Sequence, residues 1–429
     1  MDLKDRRIKD ALKTLIVLEQ AGFVARFAGG CVRDRLMGIH PTDYDVATSA
    51  TPDQTSGVFR SQGYKVVPTG IDHGTVTVIA PSGPVEITTL RRDVATDGRR
   101  AQVVFGTNFE EDAERRDFTI NAMFEDARGQ IYDYFAGRKD LAEKALRFVG
   151  NAETRIREDY LRILRLFRFW AKIDFTPVPG TLEAVVAEKS GLGGISQERI
   201  TSELLKTLAG NFAGAPLAAL HSSGVWDLVI PELSLPKNVM RTPLPQAFWP
   251  LPDVVPAERR GVAALGASCL WEWHERDESA WAALGVRLRL SRADVRAFAF
   301  FPVLLDRIRS LGDEKADALL LSDDCDHHAG RDALTSFYGP IFKALTVVKA
   351  TEVVPLAQNI DRLLRTEALS GHLRQSSSPL SGKDLMNLLS LAPSPELGQA
   401  LTLLKRGYFN GAWTTRDEGI AYIKKHGSF

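Results

Sequence analysis

The sequence predicts an α+β protein: a head in which short strands alternate with short helices, followed by a long helical remainder. Two changes of texture along the chain carry this reading. From residue 23 to 149, short apolar runs with strand-like alternation dominate; after Gly150 the apolar residues recur at helical spacing and strand signals become rare. The third observation is length. A chain of 429 residues exceeds what one core usually serves, so more than one domain is expected.

Taken in order, residues 6–21 have apolar positions at helical spacing and stop at Gly22, a residue suited to ending a helix. Strands are expected at 23–28, 43–48, 64–68, 74–80, 84–90 and 130–134. Thr51-Pro52 pairs a capping hydroxyl with a proline at the first helical position, so a helix starts there. A further helix is expected over roughly 109–122. The polar, glycine-containing stretch from Asp93 to Gly106, with Arg99-Arg100, reads as a mobile loop. Helices follow at 152–172, 181–190 and 196–210, the last with Ser196 as its cap. Seven prolines between Pro231 and Pro256 mark a linker or irregular crossing, and Gln375-Ser376-Ser377-Ser378-Pro379 a second break. The expected domains are a head over 1–149, a helical neck over 150–214, and a helical body and tail over 215–429.

Composition narrows the class. Fifty-four Lys/Arg balance fifty-four Asp/Glu, so gross charge does not announce a nucleic-acid partner, and any such surface must be a local patch. Three widely spaced cysteines, Cys31, Cys269 and Cys325, suggest a reducing compartment without a disulfide framework or zinc site. The N-terminal Met-Asp-Leu-Lys-Asp-Arg-Arg has no apolar signal core, and no run of about 18 apolar residues occurs. A cytoplasmic protein with no membrane association is expected.

Residues 29–48 hold the densest chemistry. Gly29-Gly30 fall on a strand-to-helix turn, where bare backbone N–H groups and the positive helix end favour phosphate oxygens, and Arg33 adds a cation nearby. Asp43 and Asp45 alternate around Tyr44 on a strand, so both carboxylates face the same side and suit Mg2+. Glu86 on a neighbouring strand is the candidate third carboxylate. Two cations about 3.5–4 Å apart serve an attacking and a leaving oxygen together. In Arg115-Arg116-Asp117-Phe118-Thr119-Ile120-Asn121, Arg116 is a candidate phosphate contact. Asp117 and Asn121, read as one helical turn apart, hold a ribose hydroxyl or brace the loop.

Asp159 and Arg162 read as neighbours on one rigid helix. Cytosine and adenine each present an amino donor beside a ring-nitrogen acceptor, which a carboxylate next to a guanidinium complements. Guanine and uracil present the reverse order. Arg165 and Arg168 continue a ladder in three-residue steps. Each step drifts roughly 60° around a helix, so Arg168 is expected on the far side from Asp159, reaching phosphates rather than the base edge. Glu198 and Glu203 read as structural. Asp323-Asp324-Cys325-Asp326-His327-His328 has the look of a metal cluster but lacks a second ligand group in register.

Together these residues resemble the bacterial class II tRNA nucleotidyltransferases (CCA-adding enzymes) and the related bacterial poly(A) polymerases. The resemblance covers roughly residues 20–205. Gly29-Gly30-x-x-Arg33-Asp34 with Asp43-x-Asp45 looks like the catalytic motif, and Arg115-Arg116-Asp117-Phe118-Thr119-x-Asn121-Ala122 like the ribose and loop motif. Asp133-Tyr134-Phe135-Ala136-Gly137-x-x-Asp140-Leu141 looks like the head-to-neck motif, with Tyr134 and Ala136 in place of the usual Pro and first Gly. Glu158-Asp159-x-x-Arg162 looks like the amino-acid template, and Ile195-Ser196-x-Glu198-Arg199 like the neck-stabilising motif. The resemblance implies a polymerase-β-like nucleotidyltransferase head followed by an all-α neck, body and tail. It implies CTP and ATP as substrates, Mg2+, and a tRNA 3′ end as acceptor. It implies nucleotide contacts at Gly30, Arg33, Arg116, Asp159, Arg162, Arg165 and Arg168, and metal ligands at Asp43 and Asp45.

The stretch from Gly63 to Thr75 lacks the basic run usual in the poly(A) branch, and Pro379 to Met386 resembles a tail element of some relatives. No His-Asp dipeptide follows residue 206, so no appended phosphohydrolase domain is expected. CCA addition is therefore the expected activity. Poly(A) synthesis, partial CC or A addition, and a non-catalytic RNA-binding role are the alternatives.

Overall fold

The computed structural model describes residues 6–96 and 101–233 and, beyond them, separate stretches between 260 and 299 and between 380 and 426. Arg99-Arg100, Cys269, Cys325, the 323–328 cluster and the 375–379 break lie outside the described residues. The chain divides into two compact units, Met1–Pro236 and Lys237–Phe429.

The first unit begins with α1 (Arg6–Gln20), then β1 (Ala25–Ala28), α2 (Gly30–Leu36), β2 (Asp45–Thr48), α3 (Pro52–Ser61), β3 (Lys65–Gly70), β4 (Thr75–Ala80) and β5 (Gly83–Thr89). β6 (Arg91–Thr96) and β7 (Ala101–Phe105) follow, then α4 (Phe109–Glu114), β8 (Met123–Glu125), β9 (Ile131–Asp133), α5 (Gly137–Ala142) and β10 (Ala145–Leu146). The helical part holds α6 (Ala152–Glu158) and α7 (Leu161–Ile173), the short β11 (Thr176–Pro177), then α8 (Thr181–Glu188), α9 (Gln197–Leu208), α10 (Gly214–Ser222) and α11 (Val225–Val229).

Seven strands form one sheet in the order β3-β4-β5-β2-β1-β8-β9. Every neighbouring pair is antiparallel except β2 with β5, which run parallel with Asp45 opposite Glu86, Val46 opposite Ile87 and Ala47 opposite Thr88. Because side chains alternate across a strand, this register sends Val46 and Ile87 to one face and Asp45 and Glu86 to the other. The apolar face is sealed by Ile8, Ala11, Leu15 and Leu18 of α1 and Phe59 of α3, in one cluster with Phe27, Val46, Val76, Val78 and Ile87. The opposite face is covered only in part, by Phe109 and Ala113 of α4 against Ala28, Ala47, Leu90 and Phe124. The carboxylates emerge on that second face.

α3 opens as expected, with a capping box. The Thr51 hydroxyl accepts from the Gln54 N–H while the Gln54 side chain accepts from the Thr51 N–H at 2.9 Å. Ser196 occupies the N-cap position of α9, but its hydroxyl makes no capping hydrogen bond.

Three expectations change. The stretch 93–106 is largely a two-stranded antiparallel ribbon, β6 with β7, in which Arg91 faces Phe105 and Thr96 faces Ala101. Its polar composition suggested a loop, and the ribbon forms a sheet of its own apart from the seven-stranded one. The helix expected over 109–122 ends at Glu114. Phe118 is extended (φ −120°, ψ 146°), and only a single 3-10 turn, Thr119–Asn121, follows. The helix expected over 152–172 breaks at Asp159, whose backbone is extended (φ −152°, ψ 102°).

In the second unit, Leu380, Leu385, Leu397, Leu404, Trp413 and Ile423 share a core that includes the helices Gly382–Leu389 and Arg416–His426. No helix among the described residues is long and apolar enough to cross a membrane.

Ala136 takes a left-handed conformation (φ 58°, ψ 31°) so that Asp133 can accept from the N–H groups of Gly137 and Arg138 at 2.8 and 2.9 Å and start α5. A Cβ in that conformation costs about 1–2 kcal/mol, part of which glycine's chain entropy offsets. Ala136→Gly is therefore expected to stabilise the protein by about 0.5–1 kcal/mol, read as a rise in thermal midpoint. An unchanged or lower midpoint contradicts the strain.

Candidate active site

The glycine turn sits where β1 runs into α2. Gly29 has φ 73° and ψ −124°, which an L side chain rarely adopts, and a Cβ there would stand 2.8 Å from Arg116 Nη1. The bare backbone lets the Arg116 guanidinium lie against the turn. Arg116 donates to Asp112 Oδ2 and to the Asn121 carbonyl. Burial alone would raise the Asp112 carboxyl, but Arg116 and Arg115 outweigh it and hold the group below the usual range.

A chain of polar contacts crosses the site. Arg33 Nη1 donates to Asn121 Oδ1 at 2.6 Å, and Asn121 Nδ2 donates to Asp117 Oδ1 at 3.1 Å. Asp117 Oδ2 then takes Arg165 Nε at 2.8 Å and Arg165 Nη2. Asp117 is buried; desolvation pushes its carboxyl up, but Arg165, Asn121 and the Phe118 N–H together pull it below the ordinary range. Asp117 and Asn121 thus meet across the 3-10 turn rather than along an α-helix.

Asp159 and Arg162 also depart from the expected arrangement. Because the helix breaks between α6 and α7, Asp159 stands ahead of α7, accepting from the Leu161 N–H at 3.1 Å and from Arg199 Nη2 at 2.8 Å. Arg162 is held instead by Glu158 Oε2 at 2.6 Å and by the carbonyls of Arg155 and Arg115 at 2.9 Å. The two side chains are not an ion pair on one helix, yet both line the same cavity. Arg168 lines it as well. Its guanidinium bonds Glu203, which is buried, and lies 4.5 Å from the centre of the Phe169 ring.

That cavity has a volume of about 830 Å³ and is walled by Gly29, Gly30, Arg33, Asp45, Arg116, Asp117, Asn121, Asp159, Arg162, Arg165 and Arg168 among others. Ten arginines and lysines face it against three aspartates, which concentrates positive charge inside a chain of zero net charge. The sequence reading did not single out Arg91, Lys172 or Lys206, and read Arg115 and Arg199 only within motifs, yet all five reach the wall. The signal that could have found Lys172 is helical: it continues the α7 stripe of Arg162, Arg165 and Phe169.

Asp43 and Glu86 do not line this wall but act on Asp45, which does. Asp43, like Asp45, is exposed while Tyr44 between them is buried, and Glu86 faces Asp45 across the parallel strand pair. Partial withdrawal from solvent, then the charge of Glu86, then that of Asp43 raise the Asp45 carboxyl to about 6, against the pull of Arg116. Salt bridges neutralise Asp112, Asp117, Glu158, Asp159 and Glu203 nearby. None of Asp43, Asp45 or Glu86 takes a salt bridge from a described residue. Three crowded, unneutralised carboxylate oxygen donors fit a hard divalent cation. Among the described residues no three acidic, His or Cys side chains are grouped so as to hold a metal ion by themselves. Cys31, beneath Asp45, is buried with its thiol pushed up to about 11 and supplies no thiolate ligand.

Residues 25–147 match the poly A polymerase head domain, and residues 174–235 match a probable RNA and SrmB-binding site of polymerase A. The CCA-adding enzyme of Geobacillus stearothermophilus is 31% identical over 424 residues, covering 96% of this chain and 95% of that protein. The mitochondrial CCA tRNA nucleotidyltransferase 1 of Homo sapiens is 50% identical over 218 residues, half of this chain and 49% of that one; the chain spans about half the length of the mitochondrial relatives it matches. The crystal structure of the Bacillus stearothermophilus CCA-adding enzyme in complex with CTP superposes with a TM-score of 0.58 at 27% identity over 98% of both chains. The Thermotoga maritima CCA-adding enzyme complexed with tRNA shares the fold at 17% identity and a TM-score of 0.56.

The raised Asp45 carboxyl has a stability consequence. Its charge is disfavoured in the folded protein, so it costs stability above about pH 6, and the cost fades as pH falls toward the ordinary carboxylate range near about 4. In chelator, Asp45→Asn is expected to melt higher than the parent at about pH 8, with the difference closing near about pH 4. Excess Mg2+ should raise the parent's midpoint and not the variant's. An Asn variant that melts below the parent at the higher pH contradicts the crowding.

Proposed function

From the premise that this chain belongs to the CCA-adding tRNA nucleotidyltransferase family, we propose that it adds C, C and A to tRNA 3′ ends from CTP and ATP without a nucleic-acid template. The observation that carries the reading is the opposition of three unneutralised carboxylates to a wall of guanidinium and ammonium groups. A nucleoside triphosphate needs cations around its phosphates, and a hydroxyl that attacks phosphorus needs a place to lose its proton.

In the transfer, the tRNA 3′ oxygen forms a bond to the α-phosphorus, the bond from that phosphorus to the bridging oxygen breaks, and pyrophosphate leaves with the electron pair. Asp43 and Asp45, with Glu86 beside them, would hold Mg2+, which when bound lowers the pKa of the attacking hydroxyl and neutralises developing charge. Arg33 and Arg116, fixed beside the glycine turn, grip the phosphates. Asp159 accepts from the exocyclic amino group of cytosine or adenine while Arg162 donates to the neighbouring ring nitrogen. Guanine and uracil set a carbonyl against the carboxylate and an N–H against the guanidinium, and unpaired polar groups in a closed pocket discriminate strongly. The β6–β7 ribbon, rooted at Arg91 in the cavity wall, adjusts the pocket between C and A.

The test is primer extension on tRNA ending before CCA, with nucleotides offered singly and together and the product ends sequenced. CCA termini from CTP plus ATP are expected. UTP incorporated as fast as CTP contradicts the base-selection argument, long A-tails from ATP alone favour poly(A) synthesis, and strict CC or A addition favours a partial activity. Asp45→Ala should abolish incorporation while leaving tRNA binding intact. A wild type that binds tRNA but incorporates nothing favours a non-catalytic role.

A further inference from the structure

Four cations punctuate α7 along its cavity-facing side, and three of them are spent. Arg162 is held by Glu158, Arg165 by Asp117 and Arg168 by Glu203. The fourth, Lys172 in the last turn, lines the same cavity and takes no hydrogen bond or ion pair from any described residue. As a residue Lys172 is largely open to solvent, while its side chain reaches partly into the cavity wall. It sits where the neck helix approaches the glycine-turn helix, close enough to feel the charges of Arg33, Asp34 and Asp43.

Ten residues of helix separate Arg162 from Lys172, about 15 Å at the α-helical rise. That is comparable with the reach of an extended nucleoside triphosphate from its base edge to its last phosphate. One end of the stripe lies beside Asp159, and the other beside Arg33. We propose that Lys172 is the contact for the terminal phosphate of the incoming nucleotide, so that α7 measures the substrate from base to γ-phosphate and selects triphosphates over shorter nucleotides. The assignment rests on the proposed function and extends it to a residue that carries no role there.

The chemistry suits a lysine. An ammonium is a compact point charge on a flexible stem, able to follow a phosphate that departs as pyrophosphate, whereas the three arginines hold rigid planar bonds. In the free protein, burial together with Arg33 and Arg168 lowers the Lys172 pKa, against the pull of Asp34 and Asp43. A terminal phosphate relieves that crowding.

The experiment compares equilibrium binding of CTP and CMP to the wild-type chain and to Lys172→Ala and Lys172→Arg, in Mg2+ and without tRNA, so that no turnover is required. Loss of a charge-assisted contact should weaken CTP binding by about tenfold or more in Lys172→Ala. CMP binding should stay unchanged, and Lys172→Arg should recover most of the CTP affinity. Equal losses for CTP and CMP, or no loss for either, overturn the assignment. A wild type that binds neither nucleotide removes the proposed function and this assignment with it, and that outcome is read from the wild-type arm alone.

Discussion

The relay from Arg33 through Asn121 and Asp117 to Arg165 is the constraint on which the rest of the site depends. It joins the glycine-turn helix of the head to the long helix of the neck by charge-assisted bonds, and its central carboxylate is buried. Burying an ion pair adds little net stability, because desolvation opposes attraction, but losing one partner strands a charge in the interior. The arrangement therefore specifies geometry more than it stabilises the fold. With Arg165 locked to Asp117, the stripe on α7 faces the cavity that Asp45 enters from the start of the central strand β2.

The same logic distributes the charges. Most carboxylates around the cavity are consumed in orienting cationic groups: Asp112 serves Arg115 and Arg116, Glu158 serves Arg155 and Arg162, and Glu203 serves Arg168 and Lys206. Each arginine is held in one pose before any ligand arrives, which limits the ordering cost that binding would otherwise carry. Asp43, Asp45 and Glu86, beside the parallel strand pair, take no salt bridge from a described residue. Positive and negative charge are thus segregated on a scale of one nucleotide within a chain whose total is zero. Segregation, rather than net charge, is the electrostatic signature of this protein.

The helix break at Asp159 shows how two residues can be read into one cavity while the geometry between them is misread. Three-residue spacing on a strongly helical stretch puts Asp159 beside Arg162, and nothing local forbids it. In the folded chain the extended backbone at Asp159 frees its carboxylate to cap the Leu161 N–H and meet Arg199 from α9, while Glu158 takes Arg162. The partner of that carboxylate lies 40 residues away, and no short window of sequence contains it. The ribbon at 91–105 is similar: its pairing is local, but its polar composition carries no trace of a strand buried against a core.

Sequence by itself determined the strands β1 to β5 and β9, the change to helix after Gly150, and the strand-to-helix turn at Gly29, while Asp43, expected on the same strand as Asp45, lies just ahead of it. Each follows from short-range rules: side-chain alternation, capping chemistry, and the conformations open to glycine. It also assembled the cast of the cavity, because the chemistry of phosphates and bases calls for particular residue types. Only the tertiary structure decided who holds whom. Parallel pairing of β2 with β5 set Glu86 opposite Asp45, and the packing of α7 brought Lys172 to the wall. Those outcomes depend on contacts between segments far apart in the chain, where the free energy of one pairing is fixed by every other surface that must be buried at the same time.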